Sequence, residues 1–476
     1  METQPLYSGL YTDYYELTMA QGYYLLGMAD IPAVFDLYFR TSPFGGAYAV
    51  AAGCAEAIEA VLHLSFSDEE LSYLSGLGFH QDFLSYLKKF RFTGDIDGCR
   101  EGEIVFPSIP LLRINAPLLQ AQLLESLLLN IINFQTLIAT KTMRMVCAAS
   151  GRPVIDFGLR RAQAQASIAA ARAAYIGGAA GTSNTLAAYR YGIPAVGTHA
   201  HSWVQGFQTE YEAFSAYARL YPQSTTLLID TYDTLRSGLP NAISIARELE
   251  ATGNRLRAVR IDSGDLLMLS KQVRSSLDAA GFSYVRIIAS DQLDEYRIAD
   301  LISHNAPIDL FGIGTRLVCA YDQPALDGVY KLSECNNRPC IKCSNDPSKT
   351  NLPSKKKVVR YCTEDGKFYC DVIMFDDEDP KAQERVYDLR FADYSMQLPN
   401  HLTSFDLITI PLVRAGRSVA DPPPLQDIQA YASQRASLLP EEHKRLTDAA
   451  PYPVYVSERL YRLRESLLIR RNNNGE

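Results

Sequence analysis

Two of the chain's seven histidines and its one tryptophan lie close together, at His199, His201 and Trp203. Residues two apart on a β-strand point to the same face, so a strand here would bring the two imidazoles side by side. Paired imidazoles are typical of a metal site, and a single imidazole can also act as a nucleophile. The sequence marks residues 197–203 as a candidate functional loop with both chemistries open, while Trp203 is expected only to pack.

A pair of arginines forms the second candidate loop. Phe157 ends an apolar stretch, and Arg160 and Arg161 follow after Gly158 and Leu159. Guanidinium groups bind phosphate or carboxylate through paired hydrogen bonds, and an aromatic face stacks on a flat ring. The loop is therefore expected to bind a planar, anionic ligand, unless the arginines form salt bridges between domains.

Two glycine-containing loops suit a phosphate group. Residues 177–184 contain glycines, then the hydroxyl residues Thr182 and Ser183, then a helix start, which favours an anion site at a helix N-terminus. Gly312 and Gly314 allow backbone amides to approach a phosphate closely. Both patterns also occur in plain connectors.

Aspartates follow two further apolar stretches. Arg260 and Asp262 share one strand face, and Asp262 or Asp265 suits ribose hydroxyls or Mg²⁺, although Asp265 also suits a helix N-terminus. Asp291 is expected either to hold a sugar hydroxyl or to cap the next helix. Cations, glycine cradles, carboxylates and a histidine together predict an enzyme that acts on a phosphorylated sugar.

These loops follow short apolar segments that alternate with helices. The expected strands are residues 154–157, 174–176, 195–196, 227–229, 258–261, 285–288 and 309–311. Strands that alternate with helices form a parallel sheet. Seven such units in a short span favour an α/β barrel over an open doubly wound sheet, and a barrel carries its chemistry at the carboxyl ends of its strands.

The expected helices between these strands end at glycine or just before proline. They are residues 184–191, 239–252, 265–280 and 292–303. Before the barrel, the sequence predicts a helix at 11–28, a strand at 33–40 and a helix at 51–64. After it, the expected strands are 330–332, 341–343, 358–362 and 368–374, followed by helices at 425–437 and 441–447 and a basic tail at 461–471.

The chain is therefore divided into three parts. Residues 1–145 are expected to form an N-terminal α/β domain, and residues 146–320 the barrel. Residues 321–476 are expected to form a β-rich C-terminal extension that packs on the N-terminal domain and ends in a helical tail.

The composition is that of an ordinary folded protein, with 47% hydrophobic and 21% charged residues among 476 and a net charge of −8. An acidic balance disfavours binding of nucleic acid through bulk charge. Residues 116–140 carry a single charge, but their amide side chains predict a buried helix of a soluble protein rather than a membrane span. Residues 1–10 lack the pattern of a signal peptide, so a cytoplasmic location is expected.

The nine cysteines, an odd number, are expected to be free thiols of a reducing compartment. Cys340 and Cys343 form a CxxC pair, and a zinc site would use them together with Cys362 and Cys370. A hairpin turn at residues 365–366 would place Cys362 opposite Tyr369, so that Cys362 and Cys370 point to different faces. Unlinked thiols are favoured, with structural zinc as the alternative.

Several long motifs resemble nicotinate phosphoribosyltransferases. They are residues 12–23 (TDYYELTMAQGY), 127–140 (LLLNIINFQTLIAT), 157–163 (FGLRRAQ), 175–184 (YIGGAAGTSN), 197–203 (GTHAHSW) and 262–265 (DSGD). The resemblance implies formation of nicotinate mononucleotide and pyrophosphate from nicotinate and phosphoribosyl pyrophosphate, for NAD biosynthesis. It also implies Mg²⁺, coupled hydrolysis of ATP as co-substrate, an irregular seven-stranded α/β barrel, and a homodimer with a shared active site.

The resemblance also implies residue roles. His201 matches the family's phosphoaccepting histidine. Phe157 and the neighbouring subunit's Tyr15 would stack on the two faces of the pyridine ring. Arg260 would pair with the nicotinate carboxylate, and Arg160 would bind that carboxylate or the pyrophosphate.

The remaining implied roles concern the sugar. Asp262 and Asp291 would hold the ribose, with Asp262 catalytic because its carboxylate would stabilise positive charge at the ribose C1. Gly312 and Gly314 would hold the 5′-phosphate. Thr182 and Ser183 would line the pocket, as residues 175–184 carry the YIGG…GTSN motif.

This sequence departs from the family at two places. Residues 164–167 read Ala-Gln-Ala-Ser where the family has Gly-Pro-Asp-Gly, and residues 179–180 read Ala-Ala where it has Phe-Asp. An acidic residue near the pocket is thereby lost. Three other readings stay open: a nicotinamide-using phosphoribosyltransferase, a metal-dependent barrel hydrolase at the two histidines, and a non-catalytic ligand-binding protein.

Overall fold

A computed structural model describes residues 7–343, 349–390, 394–399, 402 and 404–474. The chain divides into two compact units. The central unit is Ile138–Pro324, and the flanking unit combines Met1–Leu137 with Ala325–Glu476. Each unit is described separately.

The first segment of the flanking unit mixes helices and strands, as the sequence predicts. The helices are α1 (Tyr14–Leu25), α2 (Cys54–His63), α3 (Asp68–Gly76), α4 (Gln81–Lys88), α5 (Leu118–Gln122) and α6 (Glu125–Ala148), which continues into the central unit. The strands are β1 (Pro32–Phe39), β2 (Ala49–Val50), β3 (Asp95–Cys99), β4 (Ile104–Val105) and β5 (Leu112–Pro117).

The single buried helix expected at residues 116–140 is wrong in detail. Strand β5 ends at Pro117, α5 follows as a short helix, and α6 begins only at Glu125. Buried apolar runs look alike in helices and strands, so local composition did not reveal the two breaks. No helix among the described residues has the length and apolar character needed to cross a membrane.

The central unit alternates strands and helices. Its strands are β6 (Val154–Asp156), β7 (Gly181–Thr182), β8 (Thr226–Leu228), β9 (Ala258–Ile261), β10 (Arg286–Ala289) and β11 (Leu310–Ile313). Its helices are α7 (Gln165–Ile176), α8 (Thr185–Tyr191), α9 (His201–Gln205), α10 (Glu210–Leu220), α11 (Leu239–Ala251), α12 (Leu266–Ala279), α13 (Glu295–Ser303) and α14 (Thr315–Val318).

The strands of the central unit form one parallel sheet in the order β7-β6-β11-β10-β9-β8. Its apolar side chains, such as Val259, Ile287 and Phe311, are fully buried between the helices. This arrangement is a half-barrel of six strands in the part of the chain that the structure describes. One isolated parallel bridge, between Thr182 and Ala195, extends it beyond β7.

The strand expected at residues 174–176 is wrong, because these residues are the last turn of α7. The segment before them is rich in alanine, which has the highest intrinsic helix propensity. The true strand, β7, lies at Gly181–Thr182. The other expected strands of the sheet are confirmed within about two residues, except 195–196, which contributes only the bridge at Ala195.

The second segment of the flanking unit is β-rich. Its strands are β12 (Gly328–Cys335), β13 (Arg338–Pro339), β14 (Lys356–Cys362), β15 (Phe368–Phe375), β16 (Arg385–Tyr387), β17 (Ser395–Gln397), β18 (Ser404–Leu407), β19 (Thr409–Arg414), β20 (Arg417–Ser418) and β21 (Val454–Ser457). Its helices are α15 (Leu425–Leu438), α16 (Glu441–Lys444) and α17 (Glu458–Asn474). The strand expected at 341–343 is not formed.

The two chain segments of the flanking unit share a sheet, with strand order β13-β12-β1-β5-β3-β19-β20. A second sheet runs β17-β16-β21-β15-β14-β18, and β2 pairs with β4. A buried ionic cluster lies beside the second sheet, where Arg360 binds Asp371 at 2.7 Å and Glu103 at 2.6 Å. The fully buried guanidinium is thereby matched by two carboxylates, as a buried charge requires.

The hairpin between β14 and β15 is confirmed, but its expected register is wrong. Cys362 pairs with Phe368 and Tyr361 with Cys370, because the ladder shifts between residues 361 and 362. None of the nine cysteines forms a disulfide. Among the described residues no group of three or more His, Cys, Asp or Glu side chains is placed to hold a metal ion.

The free edge of the central sheet is completed by a side chain. Strand β8 ends the sheet, and the backbone N–H of Leu228 donates to Nε2 of His199 at 3.1 Å. The imidazole is 6% exposed and packs edge-on against Tyr217 at 4.9 Å between ring centroids. Because Nε2 accepts this bond, the ring is neutral with its proton on Nδ1. Burial is the main reason that the pKa of His199 falls from 6.5 to about 4.

This burial predicts a pH-dependent stability. Below pH 6.5 the imidazole is protonated in the unfolded chain but stays neutral in the fold until about pH 4, so acid favours unfolding. The free energy of unfolding should fall across this window, by at most about 3 kcal/mol from this group. Urea denaturation of wild type and His199→Gln between pH 7 and 4.5 measures the difference.

The exposed His63 provides the matched control. His63→Gln should keep the wild-type pH dependence, whereas His199→Gln should show a shallower one. Equal pH dependence in wild type and His199→Gln would contradict the assignment of a buried neutral imidazole.

Candidate active site

The carboxyl edge of the parallel sheet gathers the candidate residues of the central unit. Strands that run in one direction end at one edge, so the loops after them become neighbours. The residues are Asp156 and Phe157 at the end of β6, Asp230 and Thr231 after β8, Arg260 and Asp262 at β9, Ser290 and Asp291 after β10, and Gly312 and Gly314 at β11.

Arg260 lies at the centre of this edge. Its Nε donates to Ser290 Oγ at 2.8 Å, and its Nη2 donates to Asp262 Oδ1 at 2.8 Å. A longer contact of 3.4 Å joins Nη1 to Thr198 Oγ1. The guanidinium lies 5.3 Å from the Phe157 ring centroid. Three loops thus hold one planar cation in a single orientation beside an aromatic face.

Gly312 makes room for the Phe157 ring. A Cβ at Gly312 would lie 2.3 Å from Phe157 Cε2, which is closer than any real contact. At Gly314 a Cβ would lie 3.4 Å from the Phe157 carbonyl oxygen, an ordinary contact. Packing against Phe157 therefore requires glycine at 312, whatever ligand the loop binds.

Asp156 is a site residue that the sequence did not reveal. Its carboxylate accepts from the backbone N–H of Gly158 and from the Thr182 hydroxyl, both at 2.7 Å. The Thr182 hydroxyl in turn accepts from the N–H of Asn184 at 3.0 Å. Burial raises the pKa of Asp156. Thr182 therefore joins β6 to β7, with Ser183 half-buried beside it.

The two histidines do not share a strand face, because His201 begins helix α9 and no strand forms at residues 199–201. His201 is half-buried, and its Nδ1 lies 3.1 Å from Thr231 Oγ1. His199 is occupied by the backbone of Leu228 instead. The expected side-by-side pair is therefore wrong. Trp203 packs as expected, with its indole N–H donating to Ala213 at 3.0 Å.

Asp230 is a second residue that the sequence analysis did not single out. Its Oδ2 accepts from the N–H of Asp262 at 2.9 Å and from the Ser263 hydroxyl at 2.6 Å. Its Oδ1 is buried and has no hydrogen-bond partner among the described residues. The sequence does contain a signal for this residue. Asp230 and Thr231 directly follow an apolar strand, as the other candidate loops do.

The aspartates after β9 and β10 divide into caps and site residues. Asp265 caps α12 by accepting from Leu267 and Met268. Asp294, not Asp291, caps α13, so the helix start expected at 292 is wrong. Asp291 instead has φ 107°, a strained conformation for a side-chain-bearing residue. Such strain costs about 1–3 kcal/mol and is concentrated at functional sites.

Two candidates are not among the residues that hold the Arg260 guanidinium. Arg160 is exposed in the loop after β6. Tyr15 belongs to α1 of the flanking unit, where its side chain is 46% exposed. Partial burial, then the charge of Glu125, raises the pKa of Tyr15, which also hydrogen-bonds to Glu125. The residue nevertheless remains partly accessible to solvent.

Family models match nearly the whole chain. The nicotinate phosphoribosyltransferase N-terminal domain matches residues 10–133, the family's main model residues 153–386, and its C-terminal domain residues 355–464. Nicotinate phosphoribosyltransferase pncB2 of Mycobacterium tuberculosis is 44% identical over 457 residues, covering 95% of this chain and 92% of the relative. That of Bacillus subtilis is 43% identical, covering 94% and 93%.

Solved structures agree with this likeness. Human nicotinic acid phosphoribosyltransferase superposes with a TM-score of 0.85 at 29% identity, covering 96% of this chain and 99% of the human one. The nicotinate-nucleotide pyrophosphorylase of Pyrococcus furiosus shares the fold, with a TM-score of 0.72 at 22% identity, covering 90% of this chain and 95% of that one. The matches span the flanking and central parts of the sequence alike. The chain belongs to the nicotinate phosphoribosyltransferase family.

Proposed function

We propose that this chain transfers the phosphoribosyl group of phosphoribosyl pyrophosphate to nicotinate, releasing nicotinate mononucleotide and pyrophosphate. The observation that carries the proposal is the fixed Arg260 guanidinium beside the Phe157 ring and the Asp262 carboxylate. A planar aromatic acid matches a cation next to an aromatic face. The names of the relatives support the same substrates.

The pyridine ring would lie on Phe157, with its carboxylate directed to Arg260. The exposed ring of Tyr15, supplied by the neighbouring subunit of a homodimer, would cover the other face. Stacking on both faces orients the ring nitrogen toward the sugar carbon that it attacks. The shared site would explain an exposed aromatic ring on α1.

The sugar phosphate would lie along the loops after β9, β10 and β11. Asp262 and the strained Asp291 would accept hydrogen bonds from the ribose hydroxyls. Gly312 and Gly314 would present backbone amides to the 5′-phosphate, and Arg160 would reach the pyrophosphate. Thr182 and Ser183 would line the neighbouring wall.

The reaction breaks the bond between the ribose C1 and the pyrophosphate oxygen while the pyridine nitrogen bonds to C1. Positive charge develops on the sugar, so the Asp262 carboxylate would stabilise it, since fixed charges act strongly in a site that excludes water. Mg²⁺ would neutralise the departing pyrophosphate. The unpartnered buried oxygen of Asp230 fits such an ion, because Mg²⁺ prefers carboxylate oxygen.

ATP hydrolysis would be coupled through His201. A ring nitrogen would bond to the γ-phosphorus as the bond to ADP breaks, and water would later hydrolyse the phosphohistidine. His201 is half-buried at the sheet edge with Nδ1 beside Thr231, so its imidazole is both oriented and reachable.

The half-barrel would function as the family's irregular seven-stranded barrel. The bridge at Ala195 supplies a seventh segment beyond β7, and the Leu228–His199 hydrogen bond joins the following residues to β8 at the opposite edge. A side chain would thus complete the ring where backbone pairing stops.

Substrate choice is tested by a product assay. Nicotinate with phosphoribosyl pyrophosphate and Mg²⁺ should give the mononucleotide, and ATP should raise the rate. Nicotinamide should be used far less well, because Arg260 favours an anionic ring substituent. Mononucleotide from nicotinamide alone would reverse the substrate assignment, and no product from either base would refute the enzyme assignment.

The coupling is tested by His201→Ala. This variant should lose the stimulation by ATP and the acid-labile phosphoenzyme while retaining slow turnover without ATP. His304→Ala is the matched control, because His304 is exposed at the end of α13. Undiminished ATP stimulation in His201→Ala would refute the phosphohistidine role.

Arg260→Lys tests recognition of the carboxylate. Lysine keeps the charge but loses the planar fork, so KM for nicotinate should rise about 10- to 100-fold and the preference over nicotinamide should narrow. Arg236→Lys, at an exposed position, should leave both unchanged. An unchanged KM in Arg260→Lys would remove this residue from the binding site.

A further inference from the structure

We propose that His199 is a positioning residue for His201: its hydrogen bond to β8 sets the place from which the neighbouring imidazole reacts. The inference deepens the function proposed above and rests on it for its catalytic consequence. His199 itself is not placed to react with a ligand, since it is 6% exposed and its Nε2 already accepts a hydrogen bond.

Two hydrogen bonds run between the same two chain segments. His199 Nε2 accepts from the N–H of Leu228 at 3.1 Å. His201 Nδ1 lies 3.1 Å from the hydroxyl of Thr231, three residues further along the neighbouring segment. We call this pair of bonds the two-point clamp. Two fixed points define the direction of the short stretch between them, whereas one point would leave it free to rotate.

The segment that leads to His201 lacks regular secondary structure, and its other contacts include that of Thr198 with Arg260. The backbone after the bridge at Ala195 forms no strand, and α9 is only five residues long with no side chain capping its start. A helix this short is not stable alone. Trp203 ties the middle of α9 to Ala213, and the position of its first residue, His201, depends in addition on the contacts that hold the preceding segment.

His199 is held more firmly than the residue it positions. Its ring packs against Phe214 at 5.9 Å and Tyr217 at 4.9 Å between centroids, and both residues lie on α10. The edge strand β8 anchors the other side through Leu228. The imidazole thus joins a helix, a strand edge and the loop that carries His201.

The neutral state of His199 keeps this bond at working pH. Burial lowers its pKa to about 4, so Nε2 remains an acceptor throughout the neutral range. A protonated ring would present an N–H to the N–H of Leu228 and break the clamp. A glutamine at this position carries an acceptor oxygen at the matching reach, whereas phenylalanine fills the space without any acceptor.

The test compares His199→Phe with His199→Gln. In His199→Phe the phosphoenzyme formed per subunit and the ratio of ATP-stimulated to basal turnover should fall at least about tenfold. In His199→Gln both should recover to within about threefold of wild type. A merely structural role would lower stimulated and basal turnover together and leave their ratio intact, which would overturn the proposal, as would equal losses in the two variants.

Thr231 provides the other half of the clamp. Thr231→Val should reduce the phosphoenzyme as His199→Phe does, Thr231→Ser should restore it, and the double variant should lose little more than either single one, because the clamp acts as a unit. Fully additive losses would show that the two bonds act separately and would overturn the proposal.

A measurement on the folded protein separates this proposal from the ATP coupling itself. Nitrogen NMR of histidine-labelled wild type should show His199 with its proton on Nδ1, and His199→Gln should leave the His201 signals near their wild-type positions, whereas His199→Phe should shift them. If wild type forms no phosphoenzyme, the coupling fails. In this measurement the positioning role is overturned if the His201 signals do not respond to His199→Phe or if His199 carries its proton on Nε2.

Discussion

Every strand of the central sheet runs in the same direction, and the site depends on this constraint. Parallel strands end at one edge, so Phe157, Arg260 and Ser290 become neighbours although many residues separate them in the chain. The crossover helices keep each loop short and bring the chain back to the opposite edge. An antiparallel sheet would have placed alternate loops at opposite ends.

A cation at such an edge needs support from the protein before any ligand arrives. Arg260 is 17% exposed, and Asp262 and Ser290 hold it in one orientation. The Phe157 ring is also closely packed, because it occupies the space that a side chain at position 312 would need. Groups that are oriented in advance need no reorganisation when charge develops in a reaction, which is why such sites are rigid.

The two edges of the six-stranded sheet depend partly on side-chain hydrogen bonds. Thr182 and Asp156 join β7 to β6 through a buried hydroxyl and carboxylate. At the other edge, the backbone N–H of Leu228 donates a hydrogen bond to the His199 imidazole. A neighbouring strand would have accepted this bond with a backbone carbonyl. Each bond satisfies a buried polar group and at the same time orders a loop of the candidate site.

Much of this fold was predictable from the sequence because its signals are local. Alternating apolar segments and glycine stops predicted most strands and helices, and the motifs at 157–163, 197–203 and 262–265 pointed to the family. Local signals fail where packing decides between two structures. Residues 174–176 are apolar enough for a strand, but an alanine-rich run draws them into α7.

The sequence by itself determined which residues are available for chemistry and roughly which loops carry them. The tertiary structure decided which of them touch. Asp156, Asp230 and Thr231 bear no motif, since their importance comes from hydrogen bonds to residues brought close by the sheet. The tertiary structure also separates the side chain of His199 from that of His201. Helix α9 begins after His199, and each imidazole has a different hydrogen-bond partner. Residue spacing predicts side-chain direction only if the secondary structure is known. Here long-range packing determined that secondary structure.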